Sequence, residues 1–223
     1  MLFTEGIYNI YKPPGITTYK IVAYVKRHLK EKFKVGHGGT LDPFAEGVVV
    51  IAVGRKYTRQ LHNILNNSVK EYIAYISLDK TSDTHDITGE IKHLNDITPP
   101  EEKNVKKILS NFVGEIEQLP PVYSAIKFQG ERLCDKIRLK KLTYDEAIRV
   151  LKPKRVRIYS LELLEYKFPK LVLRIVCSSG TYIRSLARDI GEKLNCGGVV
   201  EKLIRTKVGD YSIENSIRLP ISF

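Results

Sequence analysis

The sequence has 223 residues and a mass of 25.5 kDa, which is enough chain to bury a sizeable core in one large domain or two small ones. Its 37 Lys and Arg outnumber 25 Asp and Glu, so the formal charge is +12 and the pI about 9.5, a balance typical of proteins that bind polyanions. The sequence has no apolar stretch of 18 residues and no signal-peptide pattern at its start, which argues against a membrane-spanning or secreted protein and predicts a cytoplasmic one.

The positive charge is distributed unevenly along the chain. Residues 127–157 contain eleven basic and four acidic side chains. One interpretation is a solvated helical face, and the other is a surface that binds the phosphates of RNA or DNA. The high overall pI favours the second interpretation.

The cysteines and histidines are too scattered to indicate a metal or redox site. Cys134, Cys177 and Cys196 form no CxxC pair, which predicts free thiols in a reducing compartment. The five histidines lack ligand spacing as well. We therefore predict neither a metal nor a cofactor.

The first part of the chain shows clear strand and helix patterns. Residues 7–12 are strand-like, and the Thr-Thr pair at 17–18 can cap a helix whose apolar residues follow helical spacing. The run GVVVIAVG at 47–54 is continuous and β-branched, which predicts a strand buried on both faces in the middle of a sheet. A short helix over 55–66 and a strand over 69–78 are predicted to follow.

Helix caps are the strongest local signals in the second half of the chain. Thr98 with Glu101 predicts a capping box and a helix over 99–112, and Thr143 with Glu146 predicts another. The other predictions are a polar hairpin over 79–90, two strands over 156–178 and a helix over 181–195. Because strands and helices do not alternate strictly, we predict an α+β fold with a mixed, largely antiparallel central sheet and flanking helices.

Residues 36–47 read GHGGTLDPFAEG and place four glycines around one histidine and one aspartate. A nucleotide-binding loop would need a GK[ST] or GxGxxG pattern, and a metal site would need more ligands than His37 and Asp42. A purely structural turn stays open, in which the glycines supply positive φ. Asp42 precedes Pro43, which favours extended backbone and a projecting carboxylate suited to nucleophilic or acid–base chemistry on a bulky planar substrate.

Several stretches occur together in one order along almost the whole chain. They are YKPPGITTY (11–19), KVGHGGTLDPFAEGVVVIAVGRKYTR (34–59), KEYIAYISL with TSDTHDITGEI (70–91), QLPPVYSAIKFQGERL (118–133), CSSGTYIRSLARDIGEKL (177–194) and LIRTKVG (203–209). Together they resemble the pseudouridine synthases of the TruB type, which convert uridine 55 in the T loop of tRNA to pseudouridine. The resemblance implies the pseudouridine synthase fold, the T stem-loop of tRNA as substrate and no cofactor.

The resemblance also implies roles for residues at matching positions. Asp42, in the LDP motif, would be the catalytic aspartate that attacks either C1′ of the ribose or C6 of the uracil. Arg184, in GTYIR, would pair with that aspartate and keep it ionised. Tyr72 would stack on the flipped target base, and His37 would enter the T loop near the extruded uridine.

Four further positions follow from the same resemblance. Tyr182 and Leu203 match positions around the uracil pocket, where ordinary core packing is an equally good interpretation. Lys12, in the KPxG element, and Gly39 would support the architecture of the active-site loop.

The chain departs from the family pattern mainly in its length. Family members commonly carry a C-terminal RNA-binding domain of the PUA kind, whereas this sequence ends at Phe223. We therefore predict a single catalytic domain over 1–223 without a PUA domain, acting as a monomer with no obligate protein partner. Two alternatives stay open: a non-catalytic tRNA-binding or tRNA-folding chaperone, and a guide-RNA-dependent relative that modifies ribosomal RNA.

Overall fold

The computed structural model describes residues 2–66, 68–124 and 126–220, without the side chains of His62 and Asn66. The strands within these ranges are β1 (Gly6–Lys12), β2 (Val35–Gly38), β3 (Glu46–Val53), β4 (Lys70–Ser77), β5 (Lys80–Ser82), β6 (Ile91–His93), β7 (Gly114–Gln118), β8 (Lys127–Phe128), β9 (Glu131–Arg132), β10 (Lys154–Lys167), β11 (Lys170–Cys177), β12 (Val199–Val208), β13 (Tyr211–Ser212) and β14 (Ile217–Arg218). The helices are α1 (Thr18–Arg27), α2 (Arg55–Asn66), α3 (Glu102–Ser110), α4 (Leu133–Arg138), α5 (Tyr144–Val150) and α6 (Ile183–Lys193).

The chain divides into two compact units. The first contains Met1–Ala74, Leu173–Gly180 and Lys202–Phe223, and the second contains Tyr75–Val172 and Thr181–Glu201. Strands β4, β11 and β12 each contribute residues to both units. The prediction of a single catalytic domain without a PUA domain stays a prediction.

Strand β3 organises the sheet of the first unit. It pairs antiparallel with β1, from Gly6 opposite Val53 to Lys12 opposite Gly47, and antiparallel with β2. It also pairs parallel with β12, and β1 pairs parallel with β14. Every residue of β3 after Glu46 is buried, which confirms the prediction of a central strand from its continuous β-branched run.

The two helices of the first unit also follow the sequence pattern. Helix α1 begins after Thr17, whose Oγ1 accepts a hydrogen bond from the backbone N–H of Lys20 at 3.3 Å. Helix α2 buries Leu61 and Leu65 in a cluster with residues of β3. Both helices therefore pack by the apolar spacing that predicted them.

The second unit contains strands β5 to β10 and four helices within the described residues. Strands β7 and β10 pair antiparallel, and β5 pairs antiparallel with β6, which begins directly after the hairpin predicted over 79–90. Helix α5 begins with the predicted capping box, in which Thr143 and Glu146 bond to each other's backbone N–H. Because pairings in both units are mixed but mostly antiparallel, the predicted α+β fold class is confirmed.

The predicted start of α3 is wrong. The helix begins at Glu102, its N-cap is Glu101, and no side chain makes a capping hydrogen bond. Pro99 precedes Pro100, and a residue before proline is pushed out of the helical region, so the helix cannot begin at 99 as predicted. Val105 and Leu109 of the predicted apolar stripe are buried as expected.

No helix in the described part of the chain is both long and apolar enough to cross a lipid bilayer.

Candidate active site

The loop between β2 and β3 carries Asp42, and its glycines are required by its geometry. Gly39 has φ +70°, and Gly47, at the start of β3, has φ +116°. A Cβ atom on Gly47 would collide with the backbone carbonyl oxygen of Arg205 on the neighbouring strand β12. Glycine at these positions lets the loop turn and lets the two strands approach each other closely.

A buried threonine fixes the residue before Asp42. Thr18 Oγ1 donates to the carbonyl oxygen of Leu41 at 2.9 Å and accepts from the Leu41 N–H at 3.0 Å. Both side chains are buried. One hydroxyl at the start of α1 therefore satisfies both backbone polar groups of Leu41.

A buried lysine fixes the residue after Asp42. Lys12 Nζ donates to the carbonyl oxygens of Pro13, Ile16 and Pro43 at 2.9, 2.8 and 3.1 Å. Burial lowers the pKa of Lys12 to about 8. The positive charge of Arg205 also lowers this pKa, whereas the negative charge of Asp42 raises it. The KPPG turn is thereby tied to the backbone next to Asp42, so the loop is held on both sides of its carboxylate.

Arg205 is a site residue that the sequence analysis did not identify. Its guanidinium is buried, and Nε donates to the carbonyl oxygen of Val48 at 2.8 Å. Nη2 donates to the carbonyl oxygen of Gly39 at 3.1 Å, and Nη1 lies 3.5 Å from that of Thr40. The sequence carried no clear signal for it, because its strand β12 has several other charged residues and was not predicted as a strand.

Tyr72 and Leu203 are both buried in the first unit, at 6% and 4% exposure. Burial raises the pKa of the Tyr72 phenol, although the charge of Arg205 and a hydrogen bond from it act in the opposite direction. The negative charge of Asp42 also raises the pKa of this phenol. The first unit thus brings together the predicted residues Asp42, Tyr72 and Lys12 with Arg205.

His37 lies on β2, opposite Ile51 of β3 in the register of the hairpin. It is half-buried and lines a cavity of about 420 Å³ together with Gly39 and Lys70. The predicted substrate-binding histidine therefore borders an opening beside the glycine loop.

Arg184 and Tyr182 belong to the second unit, at the start of helix α6. Arg184 is buried, and its Nη1 and Nη2 donate to the carbonyl oxygens of Thr84 and Tyr123 at 2.9 and 3.0 Å. Nη1 also lies 3.3 Å from Oδ2 of the buried Asp86. These contacts fix the direction of the guanidinium.

Asp86 is a second residue that the sequence analysis passed over. Its Oδ1 accepts hydrogen bonds from Thr84 Oγ1 at 2.9 Å and from the Thr88 N–H at 2.8 Å. The hairpin between β5 and β6 therefore shapes a rigid carboxylate that faces Arg184. The polar sequence of this hairpin was a visible signal, but it did not indicate which carboxylate turns inward.

A side-chain amide fixes the first turn of α6. Gln118 Oε1 accepts from the Tyr182 N–H at 2.8 Å, and Gln118 Nε2 donates to the Tyr182 carbonyl oxygen at 3.0 Å. Gln118 is buried, so this pair of hydrogen bonds is shielded from water. It holds the backbone two residues before Arg184.

Among the described residues, no group of three or more His, Cys, Asp or Glu side chains is placed to hold a metal ion.

Comparison with known proteins gives consistent family matches. Residues 26–183 match the model of the TruB family pseudouridylate synthase N-terminal domain, and residues 184–220 match the tRNA pseudouridylate synthase B C-terminal domain. The tRNA pseudouridine synthase B of Dehalococcoides mccartyi is 42% identical over 96% of this chain and 68% of its own length. That of Bacteroides fragilis is 42% identical over 97% of this chain and 92% of its own length.

Solved structures agree with this match. A chain of a Cbf5-Nop10-Gar1 complex superposes with a TM-score of 0.71 and 31% identity, covering 96% of this chain and 52% of that one. A chain from an H/ACA RNP bound to a substrate RNA superposes with a TM-score of 0.68 and 28% identity. The present chain spans about half the length of these solved chains.

The matched models and the two curated relatives all carry the names of pseudouridylate synthases. The chain belongs to the TruB family of pseudouridylate synthases. This confirms the family that the order of its sequence motifs predicted.

Proposed function

We propose that this chain isomerises uridine 55 in the T loop of tRNA to pseudouridine, with Asp42 as the catalytic carboxylate. The observation that best supports this proposal is the anchoring of the Asp42 loop on both sides, by Thr18 at Leu41 and by Lys12 at Pro43. A covalent catalyst must be held in near-attack geometry, and fixing both neighbours of a side chain restricts its direction.

The chemistry follows from a carboxylate next to a flipped uridine. Asp42 attacks either C1′ of the ribose, where the bond to N1 breaks and its electron pair leaves with the uracil, or C6 of the ring. In either route the uracil detaches, turns and rejoins C1′ through C5, and the carboxylate is released. The proton on C5 passes to solvent and N1 gains a proton, so the product is an isomer of the substrate.

Other residues have supporting roles in the proposal. Tyr72 offers an aromatic face to the flipped base, which offsets part of the cost of unstacking. The GTYIR motif is the basis for proposing that the guanidinium of Arg184 keeps the catalytic carboxylate ionised. His37 engages the T loop, and Tyr182 and Leu203 border the uracil.

We further propose that the enzyme acts as a monomer in the cytoplasm, on tRNA, without a cofactor or an obligate protein partner. The names of the curated relatives, which are tRNA enzymes, support the choice of substrate. The basic stretch 127–157 is proposed to bind phosphates, so RNA binding should weaken with added salt.

The test is release of tritium from an unmodified tRNA transcript labelled at C5 of uridine. We expect release with the purified chain alone and none with Asp42→Asn. We also expect no release from a labelled transcript in which uridine 55 is replaced by another nucleotide. Arg184→Ala should lower turnover because the carboxylate can then reorient or take up a proton. RNA binding by Asp42→Asn should stay close to that of the wild-type chain.

The same assay separates the alternatives. Near-normal turnover by Asp42→Asn would remove Asp42 as the catalytic residue. Tight, salt-dependent tRNA binding without any release would favour a chaperone. The similarity to chains from Cbf5 and H/ACA complexes raises the guide-dependent alternative, for which release would require an added guide RNA and partner proteins.

A further inference from the structure

The cavity of about 420 Å³ in the first unit lies beside the glycine loop and has a cationic lining. Its lining includes His37, Gly39, Lys34, Lys70, Leu61 and Ser179. None of the described residues that line it is acidic. An opening of this size with lysines on its walls suits a small anionic group with an apolar part.

Lys70 is the unusual member of this lining. It is buried at 6% exposure, yet its Nζ donates a long hydrogen bond of 3.3 Å to the carbonyl oxygen of Leu65. Burial and the nearby charge of Arg205 lower the pKa of Lys70 to about 8, and the thiol of Cys177 acts in the opposite direction. An anion in the cavity would supply the charge partner that a buried ammonium needs.

The position of the cavity indicates where such an anion would come from. Gly39 lies three residues before Asp42, so at most about 11 Å separates their Cα atoms. A nucleic acid strand whose target base reaches Asp42 therefore brings a neighbouring phosphate within reach of this opening. Leu61 gives the cavity an apolar wall on which a ribose could pack.

We propose that this cavity binds a phosphodiester of the substrate RNA next to the reacting uridine, with Lys34 and Lys70 as its charged contacts. Ser179 adds a hydroxyl donor on the same lining. This proposal rests on the proposed function, because it takes the reacting uridine to lie at Asp42. It adds a binding site separate from the basic stretch 127–157.

The experiment is a double-mutant cycle between the protein and a synthetic T-arm stem-loop. Each phosphate flanking the target uridine is replaced in turn by an uncharged methylphosphonate, and Kd is measured for the wild-type chain and for Lys34→Gln. Lys34 is exposed, so its replacement should not disturb folding. Lys103→Gln, an exposed lysine on α3 outside the cavity lining, is the matched control for loss of one positive charge.

At one phosphate we expect the methylphosphonate to raise Kd about fivefold for the wild-type chain and for Lys103→Gln. The same replacement should have no further effect on Lys34→Gln, because the charge pair is already lost. The slope of log K against log salt should fall by roughly 0.7 to 0.9 in Lys34→Gln. The KM of Lys34→Gln for RNA should be raised relative to that of Lys103→Gln.

Lys70→Met is the second variant, checked for folding by thermal denaturation before its Kd is measured. If it folds, it should give the same loss of coupling at the same phosphate. Additive effects at every flanking phosphate, or an unchanged salt slope in Lys34→Gln, overturn the proposal. Tritium release by the wild-type chain on the unmodified stem-loop is recorded in the same series, so failure of the proposed function is seen separately.

Discussion

Nη1 of Arg184 lies 3.3 Å from Oδ2 of Asp86, and both side chains are buried. Asp86 in turn is held by Thr84 and Thr88, so its carboxylate cannot swing freely. A buried guanidinium that has one fixed carboxylate and two carbonyl acceptors has a defined direction. Asp86 is therefore a positioning residue for Arg184.

Asp86→Asn keeps the size of the side chain and removes its charge. Since it removes one charge partner of a buried guanidinium, we expect a loss of about 3 kcal/mol in the free energy of unfolding. Turnover should fall by about a hundredfold if Arg184 acts on the catalytic carboxylate, with little change in RNA affinity. Urea denaturation and tritium release measure the two effects.

The control for this prediction is Asp96→Asn. Asp96 is exposed and has φ +61°, a conformation that Asn tolerates as well as Asp does. Its replacement should leave both stability and turnover close to wild-type values. Equal behaviour of the two variants would contradict a positioning role for Asp86.

Thr18→Val tests the anchor before Asp42. Valine has the shape of threonine without the hydroxyl, so the N–H and C=O of Leu41 lose their buried partner. We expect a loss of about 2 kcal/mol in the free energy of unfolding. Single-turnover rates should fall by at least tenfold, because a displaced Asp42 leaves near-attack geometry.

Thr18→Ser restores the hydroxyl and serves as the rescue variant. Its turnover should return to within a few-fold of the wild-type value, at a small cost in packing. If Thr18→Val turned over as fast as Thr18→Ser, the hydroxyl would have no part in placing Asp42.

Lys12 makes stability depend on pH in a defined direction. Its folded-state pKa is about 8, against an ordinary value of 10.5. Below pH 8 the amine is protonated in both the folded and the unfolded chain, so its contribution is constant. Between about pH 8 and 10.5 the unfolded chain holds the proton that the folded chain has released, so the free energy of unfolding rises with pH, by up to about 3 kcal/mol from this group.

Lys12→Met should lack that rise and should be less stable at pH 7, since three carbonyl groups lose their donor. The measurement is urea denaturation of both proteins across pH 7 to 10. Lys70 also has a pKa near 8, but it titrates in both proteins. Its contribution therefore cancels in the difference between the two stability curves. Parallel stability curves for the two proteins would rule out titration of Lys12 in this range.

Gly47→Ala tests the close approach of β3 and β12. Gly47 has φ +116°, and a Cβ atom there would collide with the backbone of Arg205, so we expect a loss of at least about 3 kcal/mol. Gly114→Ala is the matched control, because its φ is +110° and no atom lies within 4 Å of a Cβ there. The control should lose only about 1 kcal/mol, from backbone strain alone. Similar losses in thermal or urea denaturation would exclude the steric contact as the cause.

Most of the long elements could be predicted from sequence, because their signals are local. The β-branched run of β3, the Thr17 cap of α1 and the capping box of α5 each lie within a few residues of the element that they specify. The start of α3 was missed because a second proline overrode the capping pattern. Strand β12 was not predicted at all, since charged residues interrupt its apolar alternation.

The sequence by itself determined the family, the α+β class and the LDP motif that carries Asp42, since each depends on residue types in a fixed order along the chain. Only the tertiary structure decided which side chains hold that motif in place. Arg205 bonds to Gly39 across 166 residues, and Arg184 bonds to Thr84 across 100. Such hydrogen bonds leave no periodic or local pattern, because folding and not spacing brings their partners together.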